Sequence, residues 1–121
     1  MKHSYRDLVA WRKAMDLVTE VYKMTSAFPQ SELYGLTGQL RRAAVSIPCN
    51  IAEGQGRLTR GEFQQFLGYA RGSIVEVETL TQIAGELQFL QPSQLGQLQT
   101  KTSELARILN GLINAIRNRC Q

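Results

Sequence analysis

The sequence predicts an all-α protein: an up-down-up-down antiparallel four-helix bundle whose second helix is kinked at Pro48. Apolar residues recur at steps of three and four along four successive segments, and no stretch alternates with the period of two that is typical of a strand. Short links separate the segments, and short links place consecutive helices antiparallel. With 121 residues, 43% of them apolar, the chain suits one folded domain, which we expect to span residues 1–121.

The first helix is predicted near residues 7–27. Pro29 follows it, and proline cannot continue a helix and disfavours helical geometry in the residue before it. The positions that set its apolar spacing are Leu8, Trp11, Met15, Val18 and Tyr22.

The second helix is predicted near residues 34–54. Pro48 removes one helical hydrogen bond, yet the apolar spacing continues in phase to Ile51, which indicates a kink and not an end. Gly54 and Gly56 then supply flexible positions that close the helix.

The third and fourth helices are predicted near residues 60–90 and 93–118. The third begins at a capping box, in which the hydroxyl of Thr59 and the carboxylate of Glu62 each accept a backbone N–H of the other residue. Pro92 marks the turn between the two helices.

The predicted interior takes one apolar stripe from each helix. Gly68 and Gly72, four residues apart on the third helix, are interpreted as small residues that allow a neighbouring helix to approach closely. The predicted interior residues are Trp11, Val18, Leu40, Ile47, Ile51, Leu67, Ile74, Val77, Leu105, Leu109 and Leu112.

The basic residues suggest a polyanionic partner. The formal net charge is +4 and the pI is near 9.4, so an interaction with RNA or DNA is favoured without being required. Arginine and lysine would contact phosphates and not read bases, since no aromatic-interleaved RNA-binding motif is present. The alternative is that these residues only form solvated faces. The candidate nucleic-acid contacts are Arg12, Lys13, Arg41, Arg42, Arg57, Arg60, Lys101 and Arg107.

A polar strip borders the apolar face of the second helix. It has two interpretations: a groove for a ligand or nucleic acid, or a hydrogen-bond network that satisfies backbone groups freed by Pro48 and fixes how helices or subunits meet. The strip consists of Gln39, Arg42, Ser46, Asn50 and Glu53.

The residue inventory does not favour an enzyme. His3 is the only histidine, so an activated serine or cysteine nucleophile lacks a base. Glu76 and Glu78 are two residues apart on a helix and point in nearly opposite directions, so they cannot form a carboxylate pair. We expect no catalytic residues, no metal site and no cofactor.

We expect a cytoplasmic protein without a membrane partner. The N-terminus lacks the apolar core of a signal peptide, and no run reaches the ~18 apolar residues of a membrane span. Cys49 and Cys120 then read as free thiols, because the cytosol keeps thiols reduced.

The segment from Tyr34 to Gly54, YGLTGQLRRAAVSIPCNIAEG, resembles a known family signature. Three flanking pieces agree with it: DLVAW from Asp7, the Phe28-Pro29 pair, and ARGSIVEVE from Ala70. Together they resemble the bacterial four-helix-bundle family typified by intervening-sequence proteins, which are encoded inside large-subunit ribosomal RNA genes. The resemblance covers roughly residues 5–115.

The resemblance implies a fold, an assembly and a class of partner. The family also includes the accessory variability protein of diversity-generating retroelements, a basic homopentamer that binds nucleic acid and its reverse transcriptase. By resemblance we expect a non-catalytic homo-oligomer, most simply a pentamer, that binds RNA or DNA and also recruits a protein partner such as a reverse transcriptase. The alternative is a protein-interaction scaffold with no nucleic-acid ligand.

Overall fold

Four α-helices form the protein, as the sequence predicts. The computed structural model describes residues 4–119, so His3 and Cys120 lie outside the described residues. Two single 3₁₀ turns, Tyr5–Asp7 and Gln30–Glu32, precede the first and second helices, and no strand occurs among residues 4–119. The helices are α1, Val9–Thr25; α2, Leu36–Gln55; α3, Arg60–Glu86; and α4, Pro92–Arg119.

The helices pack in a ring in chain order. Each helix contacts its neighbours in sequence, and α1 closes the ring against α4, while no close backbone contact joins the diagonal pairs within the described residues. The rings of Phe28 and Phe89 lie 5.6 Å apart, so the α1–α2 link and the α3–α4 link meet at one end of the bundle, called here the Phe28 end. This arrangement confirms the up-down-up-down bundle.

The core confirms eight of the predicted interior residues and corrects three. Trp11, Val18 and Leu112 are only half-buried and pack against the core from its edge. The inward stripe of α1 is therefore shifted by one residue from the predicted phase, since two alanines bring this helix close to its neighbours. The inward residues of α1 are Ala10, Ala14, Leu17, Val21 and Met24.

Helix α3 ends at Glu86, four residues earlier than predicted. Gln88 has a φ of 63°, in the left-handed region. The N–H of Gln88 donates to Gly85 O at 3.0 Å and the N–H of Phe89 donates to Ala84 O at 2.9 Å. These two bonds form a Schellman motif, which ends the helix. The apolar spacing runs on to Leu90 because that residue is buried in the link.

Helix α2 continues through Pro48 to Gln55, as predicted. The interpretation of Gly68 and Gly72 is wrong, because a Cβ at either position would meet no atom within 4 Å. The close approaches occur at other glycines. A Cβ at Gly54 would lie 2.8 Å from Phe66 Cβ, and one at Gly85 would lie 2.7 Å from a methyl of Leu95.

None of the helices in the described range combines the length and apolarity that a membrane span requires.

Candidate nucleic-acid interface

The structure distributes the eight candidate basic residues over separate surfaces and does not gather them in one patch. Arg41 and Arg42 lie in the first turns of α2, near the Phe28 end. Arg57 and Arg60 lie at the α2–α3 link, at the opposite end. The remaining candidates lie on α1 and α4: Arg12, Lys13, Lys101 and Arg107.

Arg41 is held against α1 by three contacts. Its Nε donates to Thr25 Oγ1 at 2.8 Å, and one of its terminal nitrogens donates to Tyr22 O at 3.5 Å. Its guanidinium carbon lies 4.5 Å from the centre of the Tyr22 ring, within the range of a cation–π contact. The side chain of this half-buried residue is therefore held in position by the protein itself.

Arg42 lies on the outer face of α2 and is exposed. Its guanidinium folds back over Gly38, where a Cβ would lie only 3.1 Å from Arg42 Nη1. Glycine at position 38 thus gives this arginine room to reach toward the start of α2. Within residues 4–119 neither Arg41 nor Arg42 forms an ion pair with a carboxylate.

Arg57 is paired with two carboxylates. It lies 3.6 Å from Glu53 and 3.9 Å from Glu62, and its guanidinium stacks 4.5 Å from the centre of the Phe66 ring. Two carboxylates and a ring satisfy this cation within the protein, so its charge is a weak candidate for phosphate. Arg60, the first residue of α3, is exposed beside it.

Lys13 joins α1 to α4 through an ion pair with Glu104, with a nitrogen–oxygen distance of 2.9 Å. The hydrogen bond and the charge of Glu104 raise the pKa of Lys13, and the same two effects of Lys13 lower the pKa of Glu104. Arg12 donates to the carbonyl oxygens of Arg6 and Asp7, each at 3.2 Å. Both residues thus have structural roles.

Lys101 and Arg107 are exposed on α4. Lys101 lies in a shallow groove with Lys13 and Glu104, and Arg107 borders the polar surface formed by Gln99, Thr100 and Ser103. No aromatic side chain lines either surface.

The polar strip of α2 supports its structural interpretation in part. Ser46 Oγ donates to Ala43 O at 2.8 Å and contacts the hydroxyl of Ser73 on α3 at 2.5 Å. Asn50 Nδ2 donates to Ser46 O at 2.7 Å. The Ser46–Ser73 contact therefore ties α2 to α3, whereas the other two bonds lie within α2 and do not reach the Ala44 carbonyl that Pro48 deprives of a donor. The other three members, Gln39, Arg42 and Glu53, are exposed.

Sequence patterns missed two features of the surface. Tyr22, predicted to share the buried stripe of α1, is 44% exposed, and Tyr34 is 93% exposed. An apolar groove also lies between α1 and α2, with a volume of about 390 Å³. It is lined by Tyr5, Trp11, Met15, Val18, Val45, Pro48, Cys49 and Ala52. The sequence signal for the groove is the apolar arc of α1, which Ala10, Ala14, Leu17, Val21 and Met24 make wide enough to need cover from more than one side.

Metal ligands are not clustered in the described part of the chain: no three histidine, cysteine or acidic side chains there are placed to hold an ion. Cys49 is exposed and has no disulfide partner among the described residues.

The ring of four helices, with basic residues spread over separate surfaces, defines a small all-α bundle protein. The chain belongs to the 23S rRNA-intervening sequence protein family, whose model matches residues 6–111. Its fold is similar to that of a protein of unknown function from the S23 ribosomal protein family of Bacteroides thetaiotaomicron, with a TM-score of 0.81 and 18% identity. The similarity covers 88% of this chain and 96% of that chain. No curated protein matches the sequence significantly.

Proposed function

We propose that the protein is a non-catalytic nucleic-acid-binding module that works as a homopentamer and contacts RNA or DNA through basic faces repeated by symmetry. The observation that carries this proposal is the adjacent pair Arg41 and Arg42, which no carboxylate neutralises within the described residues. Arginine presents a planar fork of donors that fits phosphate oxygens. Membership of a family named for ribosomal RNA genes and the net charge of +4 agree with a polyanionic partner.

Exposed apolar surface supports the oligomeric part of the proposal. The groove between α1 and α2 is almost entirely apolar, and Met15 at its rim is 41% exposed. On the outer face of α3, Val75 and Ile83 are 56% and 41% exposed. An apolar groove together with exposed aliphatic side chains is compatible with an interface, and copies of one chain assemble with closed symmetry. We expect sedimentation at about five times the monomer mass of 13.6 kDa.

A salt-dependent titration tests the nucleic-acid part of the proposal. Fluorescence anisotropy would follow binding of labelled random-sequence RNA and DNA at two salt concentrations. Neutralising several phosphates gives a log–log slope of about −0.7 per contact on single strands and about −0.9 on duplex DNA. Arg42→Gln should weaken binding, whereas Arg57→Gln, which changes charge by the same amount at a site paired with Glu53 and Glu62, should weaken it much less.

The competing function is a protein-interaction scaffold, with the α1–α2 groove as its contact surface and a protein such as a reverse transcriptase as its partner. The groove favours this reading because its lining is apolar. Absence of binding to either polymer at low salt would reject the nucleic-acid proposal and favour the scaffold.

A further inference from the structure

Two tyrosines and two arginines lie on the α1–α2 link and on the two helix ends that it joins, at the Phe28 end of the bundle. We call Tyr22, Tyr34, Arg41 and Arg42 the Tyr34 cluster. Arg41 contacts the Tyr22 ring directly, at 4.5 Å. Tyr34 lies in the turn two residues before α2, and Arg42 folds back over Gly38 in the first turn of that helix.

Tyr34 has an unusual exposure for an aromatic residue in an ordered turn. It is 93% exposed, so its ring stabilises neither the core nor a neighbouring helix. The turn is nonetheless tied down, since Gly35 N–H donates to Glu32 O at 3.0 Å and Leu36 N–H donates to Glu32 Oε1 at 3.0 Å. A ring held on a fixed turn and open to solvent can stack a planar ligand with little loss of backbone freedom.

Near Tyr34 in the chain lie one carboxylate and two arginines. The one carboxylate in the adjoining 3₁₀ turn, that of Glu32, caps α2. The hydrogen bonds of Arg41 to Thr25 and Tyr22 use two of its five N–H donors, which leaves donors for an anion. The cluster therefore combines an exposed aromatic ring with two arginines that follow it within eight residues of the chain.

The spacing suits a short run of nucleotides. Arg41 lies five residues past the start of α2 at Leu36, which is about 7.5 Å along the helix axis. Along one strand of a duplex the phosphates rise about 3.4 Å per nucleotide, so a length of this order corresponds to a few nucleotides. Stacking requires an unpaired base, because a base inside a duplex has both faces covered.

We propose that the Tyr34 cluster is a stacking site for the unpaired bases of single-stranded nucleic acid, with Arg41 and Arg42 on the flanking phosphates. This inference rests on the proposed nucleic-acid function and adds to it a preference for single strands over duplex. Aromatic rings beside cations are the usual arrangement for single-strand binding without sequence preference.

The opposite end of the bundle does not offer the same chemistry. Tyr69 is 50% exposed there, but it packs edge-on against Phe66, at 5.4 Å, and accepts a bond from Gln65 at 2.8 Å. Arg57, the cation on Phe66, is paired with two carboxylates. Tyr69 is therefore a matched control for Tyr34.

The test compares one fluorescein-labelled oligonucleotide of about 20 bases, free and annealed to its complement, by anisotropy. Tyr34→Leu keeps the charge and an apolar side chain but removes the ring. It should weaken single-strand binding roughly 5- to 100-fold and change duplex binding less than twofold, since one stacked base contributes that much. Tyr34→Phe should restore single-strand binding, and Tyr69→Leu should leave both affinities unchanged.

A second readout reports stacking directly. Trp11 is the only tryptophan of the chain, so wild-type protein gives the baseline for Tyr34→Trp. Binding of the single strand should quench the added indole, and the duplex should not. Unchanged single-strand affinity in Tyr34→Leu, with Arg42→Gln weakening both polymers, would overturn the stacking site and leave the proposed function intact. No binding of either polymer by wild type would overturn both.

Discussion

Gln88 shows how a single residue ends a helix without the usual signal. Its φ of 63° is the left-handed conformation that glycine adopts freely and that costs other residues roughly 1–2 kcal/mol. No glycine marks the position, so the sequence predicts that α3 continues to Leu90. The two Schellman hydrogen bonds from Gln88 and Phe89 hold the strained residue in place.

Replacing Gln88 by glycine should raise the free energy of unfolding by about 1 kcal/mol, since it relieves the strain and the added freedom of the unfolded chain offsets only part of it. Urea denaturation followed by circular dichroism measures the change. Gln82→Gly, at an exposed position in the middle of α3, is the control and should lower stability by at least about 1 kcal/mol, since it also removes side-chain bonds to Glu86 and Gln99. Equal destabilisation by both changes would contradict a left-handed Gln88.

Thr37 carries a second residue-scale prediction. It is buried, and its hydroxyl makes no hydrogen bond among the described residues. Thr37→Val should therefore raise stability by about 1 kcal/mol, because it removes an unpaired buried hydroxyl at nearly constant shape. Thr102→Val is the matched control, since the Thr102 hydroxyl donates to Gln99 O at 3.1 Å and its loss should be destabilising. Thermal unfolding of both variants shows whether each substitution raises or lowers the stability of the fold.

At the scale of elements, periodicity predicted the four helices, while their rotation depended on neighbours. The spacing of Trp11 and Val18 is helical, but Ala10 and Ala14 are smaller and allow closer packing, so the latter pair turns inward. A sequence pattern gives the width of the apolar arc on a helix. It does not show which edge of that arc a neighbouring helix covers.

The candidate site was predictable in residue type but not in pairing. The basic residues are visible in the sequence, whereas their partners come from other helices. Arg41 donates a hydrogen bond to Thr25, which lies 16 residues earlier on α1. Lys13 on α1 forms an ion pair with Glu104 on α4. These contacts alone decide which basic residues are paired within the protein and which remain available to phosphate.

The ion pair between α1 and α4 predicts that the stability of the fold depends on pH. The lowered pKa of Glu104 means that the Lys13–Glu104 pair stabilises the fold above the ordinary glutamate pKa of 4.5 and loses this effect as pH falls through the lower folded value. The raised pKa of Lys13 means that the effect is also lost as pH rises through a value above 10.5. Glu104→Gln should thus be less stable than wild type at pH 7, and the difference should shrink below pH 4.5.

Urea midpoints at pH 7, 5 and 3 measure this difference. Glu76→Gln, an exposed change on α3, serves as the control and should show a much smaller difference at pH 7. A Glu104→Gln difference that grew at pH 3 would contradict the ion pair.

For the whole molecule, stability depends on one core shared by all four helices. Leu109 is fully buried, while Leu112, three residues later on the same helix, is half-buried. Leu109→Ala should cost about 2–5 kcal/mol, the range for deleting a buried aliphatic side chain, and Leu112→Ala should cost less than half as much. Chemical denaturation at fixed protein concentration compares the two. Similar losses would contradict the observed rotation of α4.

The open glycines of α3 and α4 affect how the molecule folds. At four glycines of these helices a Cβ would meet no neighbouring atom within 4 Å: Gly68, Gly72, Gly96 and Gly111. Each glycine makes the free energy of helix formation less favourable by about 1 kcal/mol than alanine would. Peptides cut from these two helices would be largely unstructured in water, because nucleation is unfavourable and propagation is weak. Neither helix is therefore ready-made when the chain begins to collapse. We therefore expect the two longest helices to form as a result of assembly and not to nucleate it.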